Sequence, residues 1–482
     1  MSILDALGSH ELGEIVAEIC VVGAGAAGIT LANELAAAKR EVCLVESGGL
    51  TPDAQTQTLY DLESVGYPLR RDYMSRARYF GGSCNLWAGR SMALGRFDME
   101  PRAWIPYSGW PMSHSELSAY YPRAGEILRL PDFQRIDRGF LDGAMSISEK
   151  MLFDYGPFAP TISLWAKRPM RFGVRYKPAI RRLSNLRLLL NASAVCINLG
   201  ESGRNVESLT VATLAGRRFA VRARRFILAC GGLENARLLL ASRHRYANGV
   251  GNGHDLVGRF FMDHPRAVHG VVELSEGGSL AMLRGRPLRD GKLQVGVAIS
   301  EDTQRREGLL NHYAAFESHV SGYAEARYQS LVQTMKVLLR RGYAGSRWSV
   351  ARANLSDIPN LIYLLSPKEL LPHSLYRWYA LGRRLIPQRH GARKFVVVYF
   401  CEQPPDPESR ATLGGDVDQL GMQRLVLRWR IGAEVERTVF RLHELLAGAL
   451  AAKGIGRLEA GGDNLAFTDA SHHMGTTRMS ES

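Results

Sequence analysis

Two groups of residues in this 482-residue chain are fitted to chemistry. Near the N-terminus, Gly23-Ala-Gly25-Ala26-Ala27-Gly28 follows the apolar run Glu18 to Val22 and leads into the helix-like stretch GITLANELAAAKR; a second apolar run, EVCLVE, ends in Glu46. Near the C-terminus, Asp469-Ala-Ser-His472-His473-Met-Gly475-Thr476-Thr477-Arg478-Met479 sets two imidazoles side by side. Glycines at the first spacing let a backbone approach a phosphate. An imidazole titrates near working pH and can act as a general base. The first group points to a bound nucleotide, and the second offers a candidate proton acceptor.

The first group needs a strand, a turn, a helix and a second strand, and the sequence supplies each in order, the βαβ unit of dinucleotide binding. Gly23 permits the tight turn, Gly25 the approach of a pyrophosphate, and Gly28 close packing of helix on strand. Ala26 and Ala27 open the helix, whose free N–H groups face the phosphates. Glu46 ends the second strand where a carboxylate can accept both hydroxyl hydrogens of an adenosine ribose. That acid disfavours NADP and does not separate FAD from NAD. In an extended segment neighbouring side chains face opposite ways, so His472 and His473 are not expected to share one metal centre.

Two more glycine-rich segments bring backbone close to a bulky flat group, or are simply structural turns. One is Tyr79-Phe-Gly81-Gly82-Ser83-Cys84-Asn85-Leu86-Trp87; the other is the Gly231-Gly232 turn between a strand ending at Leu228 and the helix-like run LENARLLL. The bulk composition, 46% apolar and 22% charged, excludes a disordered chain, a collagen-like repeat and a disulfide miniprotein. The formal charge of +14 is scattered, without nucleic-acid-binding spacings, and reads as an arginine-rich solvated surface. Six well-separated cysteines argue against a disulfide frame or zinc site. No apolar run is long enough to span a bilayer, and Ile15 to Leu31 reads as strand, turn and helix rather than a signal sequence. A cytoplasmic protein that does not bind nucleic acid is expected.

In order and nearly end to end, these motifs resemble the glucose–methanol–choline (GMC) flavoprotein oxidoreductases, in a form most like the bacterial sugar and alcohol dehydrogenases. The stations are the N-terminal fingerprint, the GGSCNLW loop, CGGLENARLLL, Gly258-Arg-Phe-Phe-Met-Asp-His264-Pro265, Glu402-Gln403 with Pro407-Glu-Ser-Arg410, and HHMGTTRM. The resemblance implies an α/β fold in which a Rossmann-like FAD-binding domain is interleaved with an α+β substrate domain built on an antiparallel sheet. It implies FAD bound by Gly23, Gly25, Ala26, Ala27, Gly28, Glu46, Gly81, Gly82, Ser83, Asn85, Leu86, Trp87, Ala194 and Gly231. Ala194 would touch the adenine through its backbone. Leu86 stands where some relatives carry a flavin-tethering histidine, so the cofactor is expected to be non-covalent. His472 aligns with the catalytic base, with His473 turned away. No metal is implied; the substrate would be a small alcohol or sugar and the electron acceptor is open.

The expected boundaries are 14–130 and 181–265 for the FAD-binding domain, 131–180 for a cap segment, 266–464 for the substrate domain, and 465–482 for the start of a C-terminal catalytic segment. Relatives continue well past the Met479 motif. The expectation is therefore a truncated C-terminal segment, with weak FAD retention and poor turnover unless a second polypeptide completes the site. A catalytically incomplete flavoprotein and an oxygen-using alcohol oxidase remain alternatives. Residues 321–394 carry 13 Lys and Arg against 3 Asp and Glu, with interleaved aromatics; they read as a basic helical insert, either a cap or a docking surface for a membrane or acidic partner. LQVGVAIS and RLVLRWRI fit the antiparallel sheet, Glu402-Gln403 could line the substrate pocket, and His264 before Pro265 reads as structural.

Overall fold

The computed structural model describes residues 3–8, 13–69, 75–132, 135–136, 138–154, 156–318, 393–462 and 465–480. The first element of consequence is the strand Ile15–Val22, whose Ile19, Cys20, Val21 and Val22 are all buried. It is flanked by parallel Val42–Val45, buried at all four positions, and parallel Arg218–Leu228. An unbroken apolar run suits a strand covered on both faces. Among the described residues the sheet has seven strands in the order Ile3–Asp5, Leu186–Leu190, Val42–Val45, Ile15–Val22, Arg218–Leu228, Val206–Ala212, Ser193–Leu199; the last two pairings are antiparallel and the others parallel. Helix Ala26–Ala37 follows the central strand, and helix Gly232–Ala241 follows Arg218–Leu228.

A second, antiparallel sheet, of nine strands among the described residues, includes Gly456–Glu459, Arg266–Leu274, Lys394–Phe400, Tyr313–Ser318, Gly291–Ile299, Phe158–Ala166 and Arg90–Ser91, in that order. Helix Ala433–Ala452 contributes Val435, Val439, Leu442, Leu446 and Leu450 to the same core, a spacing of three and four that keeps one face turned inward. The chain thus passes between a Rossmann-like sheet and an antiparallel sheet more than once. The run RLVLRWRI departs from expectation. Its strand, Gln423–Trp429, lies in a separate three-stranded sheet, antiparallel to Arg410–Val417 and parallel to Leu62–Gly66. Trp429, fully buried there, packs against Tyr67 and Phe261.

The six cysteines are free thiols; Cys20 and Cys43 face each other in register between adjoining parallel strands. All but the end of the basic insert 321–394 lies outside the described residues. Among the described residues no helix is long and apolar enough to cross a membrane.

Candidate active site

One continuous cavity of ≈ 980 Å³ runs from the glycine turns at the end of the parallel sheet to the terminal histidine segment. Its floor follows from backbone that only glycine allows. Gly23 has φ +97°, and a Cβ there would lie 2.5 Å from the Ala229 carbonyl oxygen; on Gly28 it would lie 1.8 Å from the Gly23 oxygen. The turn and the first helical residues are therefore pressed onto the neighbouring strand. At Gly25 and Gly231, both lining the cavity, a Cβ would meet nothing within 4 Å. Side chains there would project into open cavity, the space a pyrophosphate would need. Gly25 caps helix Ala26–Ala37 without a side-chain hydrogen bond, no acid sits in the first turn, and Ala26 and Ala27 line the cavity. That is an anion-receiving helix start.

Glu46 is buried and lines the cavity, with Oε2 accepting from Ala24 N–H at 2.8 Å and Oε1 from Gly48 N–H at 2.9 Å. Burial pushes its carboxyl above the usual range, against the pull of those N–H groups and of Arg78. Each oxygen keeps a lone pair for a ribose hydroxyl. Beside it Arg78 donates to Ser47 Oγ at 2.7 Å and to Glu234 at 3.1 Å. Burial works against the charge on Glu234, yet Arg78, Arg237 and Arg76 hold its carboxyl below the ordinary range. Ala194 lines the same end. Glycine turn, free helix start and buried acid together fit the adenosine and pyrophosphate of FAD.

The loops that close the cavity come from distant parts of the chain. Gly81 N–H donates to Ala24 O at 2.8 Å, and a Cβ on Gly82 would lie 3.2 Å from Gly25 Cα, so the GGSCNLW loop sits against the fingerprint. A Cβ on Gly232 would lie 2.6 Å from the His473 carbonyl oxygen. The terminal segment is tied to Gly258–His264 by Gly258 N–H to Thr476 O at 2.9 Å and by an antiparallel bridge between Met262 and Met474. Asp263, buried beneath it, accepts the N–H groups of His264, Ala470, Ser471 and His472 at 2.7 to 3.2 Å.

Those anchors decide where the imidazoles stand, and the arrangement differs from expectation. His473 lines the cavity, and its Nε2 has no hydrogen-bond partner among the described residues. His472 is exposed and is not among the lining residues; its Nδ1 lies 2.5 Å from Nε2 of His264, which does line the cavity. Ser471 has φ +61°, so the segment turns immediately before His472 instead of running extended. Burial lowers His264 to about 3, helped by His472, Arg266 and Arg90, and His473 to about 4. His472, exposed as a residue, is also lowered, by desolvation of its ring, with Asp263 and Asp469 pulling the other way. Ligand atoms of Asp263, Asp469 and His473 lie within 4.8 Å of one another. Asp263 already spends both oxygens on backbone N–H groups, which leaves it a scaffold rather than a ligand.

At the far end the wall is polar. Arg102, nearly fully buried, pairs with Glu402 through both terminal nitrogens, one bond measuring 2.8 Å. Asn311 bridges two carboxylates, its N–H donating to Glu402 Oε2 at 2.8 Å and its Nδ2 to Asp98 Oδ1 at 2.6 Å. Burial and the Glu402 charge push Asp98 up. Gln403 also lines the cavity, held by Trp429 and the Arg430 carbonyl.

Of the expected cofactor residues, Gly23, Gly25, Ala26, Ala27, Glu46, Gly82, Ser83, Ala194 and Gly231 line the cavity. Gly28, Gly81, Asn85, Leu86 and Trp87 do not. Asn85 bonds the Phe80 carbonyl and Gly173 N–H, Trp87 Nε1 donates to Met170 O, and Leu86 N–H closes the short helix Gly82–Asn85. This half of the loop is folded inward as support. Sequence reasoning missed Arg78 and Arg102, which carry no local signal, and it took His264, a cavity residue, as structural.

No family model matches the chain. Along 308 residues it is 26% identical to paromamine 6′-oxidase of Streptomyces fradiae, a match covering 55% of this chain and only 57% of that protein. The structure superposes on pyridoxine 4-oxidase from Mesorbium loti with a TM-score of 0.54, at 15% identity, over 97% of this chain and 89% of the other. It has the fold of the GMC oxidoreductases. A formate oxidase from Aspergillus oryzae follows at a TM-score of 0.49 and 17% identity, over 98% and 90% of the two chains. FAD is the cofactor of GMC flavoenzymes, and the cradle described above fits it.

Proposed function

We propose that the chain is an FAD-dependent oxidoreductase that oxidises a CH–OH group of a sugar, polyol or other alcohol. The observation that supports this most is the continuity of the cavity: the glycine cradle and the imidazoles share one space with a polar wall at its far end. When bound, FAD supplies the acceptor for the substrate hydride. The chain supplies the rest. The fingerprint and Glu46 hold the nucleotide, and the Arg102–Glu402 pair with Asp98 and Asn311 offers donors and acceptors to a hydroxyl-rich molecule. The pair His264–His472 receives the hydroxyl proton, His264 presenting the pair to the cavity and His472, which the motif aligns with the base, standing behind it. Both imidazoles are held below their ordinary pKa and so are neutral and able to accept at pH 7. Leu86 offers no nucleophile for a covalent flavin link.

His473 is a second assignment for the base, favoured by its unpartnered Nε2 in the cavity lining. His472→Ala and His473→Ala separate the two, since the true base loses roughly 10²–10⁴ in rate. The electron acceptor has two readings as well, a non-oxygen acceptor or dioxygen, the latter favoured by the oxidase activity in the name of the Streptomyces relative. The deciding experiment purifies the chain, measures flavin absorbance, and follows anaerobic bleaching by D-glucose, myo-inositol and benzyl alcohol. Bleaching by at least one is expected, and peroxide formation in air then identifies an oxidase. A flavin-loaded chain that no alcohol bleaches would defeat the proposal.

A further inference from the structure

We infer that His264 and His472 form a proton exit, carrying the hydroxyl proton from the cavity wall to solvent. This rests on the proposed alcohol oxidation. Three independent features carry it. The rings touch, with His264 Nε2 and His472 Nδ1 at 2.5 Å, ring centroids 4.5 Å apart and planes at 58°. They bridge inside and outside: His264 lines the cavity, while His472 is exposed and does not. Finally, one atom sets both backbones, because Asp263 Oδ1 accepts the N–H of His264 at 2.7 Å and that of His472 at 3.2 Å.

The charges around the pair give it a direction. Arg266 and Arg90 face His264 and oppose a positive charge there. Asp263 and Asp469 face His472 and favour one, with Arg266 acting against them. A proton is thus better held on the outer ring than on the inner one. In the transfer, His264 Nδ1, which has no hydrogen-bond partner among the described residues, takes the hydroxyl proton. His264 Nε2–H passes its proton to His472 Nδ1, and His472 releases one to water. Each imidazole gains one N–H bond and loses one, so both end neutral in the other tautomer, and exchange with water or a ring flip returns the proton from Nδ1 to Nε2 on each ring before the next turnover.

The test uses the FAD-loaded full chain. In the wild type, proton NMR should show a far-downfield imidazole N–H that disappears in both His264→Gln and His472→Gln; a spectrum without it would overturn the contact. His472→Ala should slow flavin bleaching by about a hundredfold with the fastest of D-glucose, myo-inositol and benzyl alcohol. Added imidazole should restore most of that loss, because the vacated position is open to solvent. A merely structural histidine would not be rescued in this way. Wild-type bleaching in His472→Ala, or a loss that imidazole leaves unchanged at full flavin content, overturns the exit. A wild type that no alcohol bleaches fails the proposed function instead, and the shared N–H still decides the contact.

Discussion

Asp263 holds Ser471 in a backbone conformation that side chains rarely adopt: Asp263 Oδ2 accepts the Ser471 N–H at 3.0 Å while Ser471 has φ +61°. A left-handed residue other than glycine costs roughly 1 kcal/mol or more and persists only when its surroundings fix it. Here one buried carboxylate gathers the N–H groups of Ala470, Ser471 and His472 and so sets which way each imidazole turns.

Asp263→Ala should therefore release the terminal turn. It leaves buried N–H groups without an acceptor, at about 1–3 kcal/mol each where water cannot replace it. Thermal unfolding should begin lower, and limited proteolysis should cut near residue 470 before the rest of the chain. An unchanged melting point with an uncut terminus would contradict the anchoring role.

Two glycines of one motif should fail in different ways. Gly25→Val places its side chain in open cavity and should spare the fold while abolishing flavin retention, read as the ratio of 450 nm to 280 nm absorbance. Gly28→Ala drives a methyl into the Gly23 carbonyl and should cost about 1–3 kcal/mol of stability with or without flavin. Equal effects of the two on stability would refute the separation.

The buried histidines make the fold acid-sensitive. His312, fully buried, is held to about 4 by burial, with its Nε2–H bonding Val435 O and its Nδ1 accepting from Glu402 N–H. His473 is held to about 4 and His264 to about 3. An unfolded imidazole titrates near 6.5, so below that pH the unfolded chain binds more protons than the folded one. Stability should be full above about pH 6.5 and fall progressively toward pH 4, His312 alone contributing on the order of 3 kcal/mol. Urea midpoints measured at pH 7.5 and 4.5 check this; a flat profile would count against neutral buried imidazoles.

Arg102→Met should cost more than the size of the side chain suggests. It strands the Glu402 carboxylate, whose side chain is only 26% exposed, beside Asp98. Losing one partner of such a pair costs about 3 kcal/mol. The double change Arg102→Met with Glu402→Leu should recover much of that in chemical denaturation, and no recovery would show that the pair is not the source of the loss.

The nucleotide cradle was legible because its parts are local. Strand, glycines, helix and Glu46 span about thirty consecutive residues, and their spacing leaves little choice of geometry. The orientation of His472 and His473 was not legible, since it is set by Asp263, some 208 residues away in sequence from Ser471. For the same reason Asn85 and Trp87 read as cofactor residues. Their partners Gly173 and Met170 sit more than eighty residues further on and draw both side chains inward. The strand Gln423–Trp429 was recognised as a strand but misplaced, because its neighbour Leu62–Gly66 is a short, partly exposed segment with a weak pattern of its own.

Gly23 rests on Ala229, and Gly232 rests on His473. A nascent polypeptide emerging from the ribosome therefore carries its fingerprint long before it carries the surfaces that fingerprint must meet. Nucleotide capture belongs after the segment around His473 has been made, and until then the half-built parallel sheet depends on whatever shields its apolar strands in the cell.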